Sequence, residues 1–181
     1  MKLTERKTVL YCAGHIAVML ILLFIRKGGM TGIPLLSSVL LVTLSYIAMI
    51  FDLNTKRIPN MLVVTMVGGW LLLMVTVVFV RTENIISILT DSMYGFLTGG
   101  GLFLLVYILS RKGLGGGDVK FIAAAGLYLG FAGIIPAILY GSVLAALTGL
   151  ILVWLKKLGR KDTMPLVPFL FIGIMVTVIT R

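Results

Sequence analysis

Only six acidic residues, Glu5, Asp52, Glu83, Asp91, Asp118 and Asp162, stand in a chain of 181 residues that is 60% hydrophobic. Glu5 lies in a basic N-terminal arm, Glu83 and Asp91 in the predicted external region, and Asp162 follows a basic run, so these four read as hydrated surface charges. Asp52 and Asp118 differ. Asp52 ends the apolar run SYIAMIF and opens DLNTKRIPN, where Pro59 and Asn60 mark a turn into the next helix. Asp118 stands in GLGGGDVKF, behind Gly115, Gly116 and Gly117 and two residues before Lys120.

An ionisable group near membrane depth is costly to desolvate, so it commonly faces a protein interior or a water-filled cavity. Two carboxyls within hydrogen-bond range cannot easily both ionise, and they share one proton. In such a dyad the ionised carboxylate takes a proton from a water held between the two, and the water attacks a carbonyl. The protonated partner polarises that carbonyl and later helps protonate the leaving amine. No metal or other cofactor is required or indicated, since His15 is the only histidine and belongs to no HExxH-like group.

The glycines fit this chemistry, because without Cβ atoms they permit positive φ and let a second helix or a substrate backbone approach the acid. A plainer reading stands beside it: a glycine turn in which Asp118 caps the following helix. Lys120 has three readings, a charge that tunes a neighbouring acid, a ligand for lipid phosphate, or a marker of the membrane boundary.

What must position these residues is a set of membrane helices. Mean hydropathy is +1.15 and charged residues make up 12% of the chain, which excludes an ordinary soluble domain. The polar stretches are too short to bury a separate core, so residues 1–181 read as a single all-α domain, a polytopic helix bundle of about six to seven membrane segments. The segments fall at about 9–25, 33–51, 61–80, 86–110, 119–130, 133–155 and 165–180. The fifth is too short to cross alone and reads as a half-span joined to the sixth through Gly130. The first follows MKLTERK but exceeds a signal h-region and has no small-x-small cleavage site, so it reads as a spanning helix rather than a secretory signal. Cys12, inside it, reads as a small buried apolar residue. TGGG at 98–101 reads as close helix packing, since the Lys-Ser or Lys-Thr of a phosphate loop does not follow it.

The net charge of +10 does not point to nucleic acid, because the basic residues are scattered over short loops. They report topology. With a cytoplasmic N-terminus and every segment crossing, twelve of the 16 basic residues fall inside and only Arg26, Lys27, Arg81 and Arg181 outside. That orientation, in the cell membrane, puts Asp52 and Asp118 on the cytoplasmic face.

Asp52 with IPN at 58–60, GGGDVK at 115–120 and PLVPF at 165–169 together resemble the type IV prepilin peptidase family, over residues 33–180, with the helix at 9–25 as an addition. The resemblance implies a membrane aspartyl protease of the GxGD type that cuts the short basic leader from prepilins or pseudopilins at the cytoplasmic face. It maps the two catalytic aspartates onto Asp52 and Asp118, the motif glycines onto Gly115 and Gly117, and a basic residue that commonly follows the motif onto Lys120. Substrates and membrane lipids are the implied partners; nucleic acid is not. The loop at about 26–32 lacks the CxxC of larger members, so methyltransferase activity finds no support there, and the compact form is more similar to tight-adherence pilus and archaeal preflagellin peptidases. PLVPF reads mainly as a shaped helix N-terminus, with a contribution to the substrate groove as the alternative. Presenilin-like proteases share the chemistry, but their YD and PAL motifs are missing. A small proton- or cation-coupled transporter using the two acids is the alternative of a different class.

Overall fold

The computed structural model describes residues 3–25, 32–80, 85–110, 113–156 and 164–181, with the side chains of 3–9, 23 and 25 excepted. The expectations that rest on Lys2, Glu5, Glu83 and Asp162, on the 26–31 loop and on the basic residues of 81–84, 111–112 and 157–163 fall outside what is described.

Among the described residues six helices follow one another: α1 Leu3–Ile25, α2 Ile33–Thr55, α3 Asn60–Val80, α4 Ile85–Leu109, α5 Gly116–Trp154 and α6 Val167–Thr180. Helices satisfy their own backbone groups, which is what apolar segments of this length require in lipid. Of these, α2, α3, α4 and α5 are long and apolar enough to cross a membrane, whereas the apolar stretches Leu10–Leu22 and Val167–Thr180 are shorter. Many large apolar side chains on the outer faces are exposed, among them Met61, Phe79 and Trp154. The protein is a helical membrane bundle.

α5 is not a straight rod. Gly130 breaks it, with φ 64° and ψ −176°, a region open essentially only to glycine. The contacts on either side show that the chain turns back there. Along α4, Gly95 lies against Gly126 and Gly99 against Ile122, so the first half of α5 runs antiparallel to α4; the second half runs antiparallel to α6, with Gly141 against Leu170 and Ala137 against Gly173. The expected break at Gly130, joining a short helix to the next, is therefore present. Residues 121–127 of this first half are all buried, as a helix surrounded by others must be. Phe121 and Ile122 form the centre of the core with Leu41, Met66, Leu170 and Ile174.

α4 and the first half of α5 pack backbone against backbone. A Cβ on Gly95 would sit 2.2 Å from the Gly126 carbonyl oxygen, and one on Gly126 would sit 2.3 Å from that of Gly95. Within TGGG, Gly99 and Gly100 face Ile122 and Ala123, while Gly101 has nothing near it. The packing reading of that string holds for two of its three glycines.

α1 lies at the periphery, packed mainly against α2, where the Tyr46 hydroxyl donates to the Tyr11 carbonyl at 2.9 Å. This peripheral place corrects the reading of Cys12: its side chain is exposed. Asp91 needs correction too: it is half-buried and accepts a hydrogen bond from the α5 backbone.

Candidate active site

Three helix ends meet at one end of the bundle. α2 stops when Lys56 takes the left-handed conformation (φ 52°, ψ 31°), with its N–H donating to the Asp52 carbonyl at 2.8 Å. Pro59 follows in the connection, and α3 starts at Asn60. α5 starts after Gly115, and α6 starts at Val167 with Pro168 in its first turn.

Asp52 is 5% exposed, in the last turn of α2. Burying a carboxylate requires donors. Its Oδ2 accepts the Val167 N–H at 3.0 Å, the Leu166 amide also acts on it, and the Lys56 charge is near. These amides are unsatisfied donors of a helix N-terminus, a ready site for negative charge.

Asp118 is half-buried in the first turn of α5 and interacts electrostatically with Asp52. The two acids that sequence singled out are thus brought together. Asp118 also reaches back to the backbone amide of Gly115, the residue that caps its helix. That is the reciprocal bond of a capping box, as the helix-cap reading expects.

The glycines act differently from the expectation of positive φ. None of the three adopts it, since Gly32 and Gly130 are the positive-φ glycines among the described residues. Their use is the missing Cβ. At Gly117 a Cβ would lie 3.2 Å from the Ile58 Cβ, and at Gly115 it would lie 3.0 Å from the Asp118 carboxylate, whereas at Gly116 it would meet nothing within 4 Å. Gly117 therefore lets the Asp118 turn lie against the loop that follows Asp52.

Lys120 ties the same two segments from outside, its Nζ donating to the Asn60 Oδ1 at 3.0 Å. The Pro59 carbonyl accepts the Leu62 N–H at 3.1 Å and so belongs to the first turn of α3. Sequence reasoning missed the part played by Leu166 and Val167. The available signal was PLVPF, in which two prolines bracket two amide donors; read as a shaped helix start, it gave no partner for those donors.

The model of the type IV leader peptidase family matches residues 39–150, which hold both acids. The chain is 29% identical over 157 residues to a prepilin leader peptidase/N-methyltransferase of Bacillus subtilis (strain 168), covering 83% of this chain and 59% of that protein. It is 29% identical over 150 residues to the protein of the same name in Aeromonas hydrophila, covering 82% and 49%. Over 169 residues it is 29% identical to another in Pectobacterium carotovorum subsp. carotovorum, covering 87% and 57%. It thus spans about half to three fifths of the length of these relatives. No solved structure matches it. With its matched region holding both acids in order, this chain belongs to the type IV leader peptidase family.

Proposed function

We propose that the protein is an aspartic endopeptidase that removes the short basic leader of type IV prepilins or pilin-like proteins at the cytoplasmic face of the cell membrane. The observation that carries this reading is the meeting of Asp52 and Asp118 at one end of the bundle, each held by backbone amides. The relatives' names supply the substrate class.

In the proposed reaction one carboxylate removes a proton from a water lying between the two acids. The oxygen of that water attacks the scissile carbonyl, whose oxygen is polarised by the protonated partner. Collapse of the tetrahedral intermediate breaks the C–N bond, and a carboxyl proton passes to the leaving amine. Three backbone segments hold the carboxyls: 166–167 and 115 bind them, and Gly117 against Ile58 sets their approach. Such fixed geometry is what acid–base catalysis needs. A substrate with a basic leader and an apolar helix would present the junction between them at this depth.

The test is co-expression with a set of prepilin-like substrates, comparing wild type with Asp52→Asn and Asp118→Asn at matched membrane levels. Wild type is expected to release the leader, and each variant to lose on the order of 10²-fold to 10⁴-fold in rate. Normal cleavage by either variant would refute the dyad.

A further inference from the structure

A second polar cluster lies at the opposite end of the bundle, around the break in α5. The Asp91 Oδ1 accepts the Phe131 N–H at 3.0 Å and so caps the second half of α5 from a neighbouring helix. Arg181 donates to the Leu129 carbonyl, just before the break. Both backbone groups lie at the ends of an interrupted helix, where they have no partner within the helix itself.

We infer that Asp91 is a positioning residue that fixes the height and rotation of the first half of α5, and thereby the approach of Asp118 to Asp52; its catalytic consequence rests on the peptidase reading above. Residues 116–129 span about 20 Å, with Asp118 in the first turn and the Asp91 bond at the far end. Toward this end the contact with α4 is backbone on backbone, Gly95 against Gly126, with the Ile122 side chain seated on Gly99 a turn further on. A slip of one residue would turn this half-helix by about 100° and carry the Asp118 carboxyl away from its partner. The Asp91 bond opposes that slip. Gly130 permits it, because a Cβ there would lie 1.9 Å from the Asp91 Oδ2.

The proposal is tested by a geometric and a kinetic arm. Ile58→Cys and Gly117→Cys are introduced together in a Cys12→Ser background, since the Gly117 and Ile58 Cβ positions are 3.2 Å apart, near the spacing of about 3.5–4.5 Å in disulfides. Oxidation is expected to form the disulfide readily with Asp91 present. Asp91→Ala should slow its formation at least about tenfold, and Asp91→Asn, which keeps an acceptor for the Phe131 N–H, should restore it.

On the otherwise native chain, Asp91→Ala should lower kcat on the order of tenfold to a hundredfold with KM changed less than about threefold, again with rescue by Asn. If Asp91→Ala fails to accumulate in membranes, Arg181→Gln loosens the other side of the break and should shift both readouts in the same direction. Unchanged disulfide formation in the Asp91→Ala and Arg181→Gln proteins would overturn the proposal. If no prepilin is cleaved by the native chain while the disulfide still depends on Asp91, the peptidase reading fails and the positioning role stands.

Discussion

The carboxylate of Asp52 accepts the backbone N–H of Val167 at 3.0 Å, across 115 positions of sequence. The bond ties the start of α6 to the end of α2, so one acid of the candidate dyad is also a structural acceptor. Its two roles separate by substitution. Asp52→Ala removes the acceptor and leaves buried amides unpaired, at a cost of about 1–3 kcal/mol, whereas Asp52→Asn keeps a carbonyl oxygen in place. Thermal unfolding in detergent should therefore rank wild type and Asn close together and Ala clearly lower, while leader cleavage is lost in both variants.

The three glycines before Asp118 should not be equivalent. Gly116→Ala meets open space and should leave cleavage within about twofold of wild type. Gly117→Val presses on Ile58 and should lower the rate on the order of tenfold or more. Ile58→Ala should recover part of that loss. Rates from membranes with matched enzyme levels check all three.

Lys120 and Asn60 form one exposed contact between α5 and α3. Removing either partner should cost stability, and removing both should cost little more than removing one. A double-mutant cycle with Lys120→Met and Asn60→Ala is expected to give a coupling of about 0.5–1.5 kcal/mol.

Backbone contact between Gly95 and Gly126 leaves no room for a side chain. Gly126→Val should destabilise the bundle by about 3 kcal/mol or more and reduce its level in membranes, because backbone cannot yield as a side chain can. Gly101→Ala, facing open space on the same helix as Gly95, should change stability by less than about 0.5 kcal/mol.

The charge pattern predicts orientation. With Cys12→Ser as background, a cysteine at Arg57→Cys should react with an impermeant maleimide only once the cytoplasmic side is opened, and one at Arg181→Cys should react from outside in intact cells.

Composition alone determined that this chain is a helical membrane bundle, because apolar runs of this length can satisfy their backbone groups only as helices. Scarcity of acids then singled out Asp52 and Asp118, and Gly130 marked the break in α5, since glycine among aliphatic residues signals a conformation that others avoid. Tertiary structure decided what depends on contacts between distant segments. The local string placed Asp118 in a helix cap or an acid pair, and only the packing of Gly117 on Ile58 shows that its turn lies against the loop after Asp52. Nothing local tells PLVPF that its amides face Asp52, nor Asp91 that a broken helix lies beside it, because a hydrogen-bond partner far along the chain leaves no periodicity to read. Cys12 was misplaced for the same reason: hydropathy reports that a residue belongs in the membrane, but which side of a helix meets protein and which meets lipid is set by its neighbours.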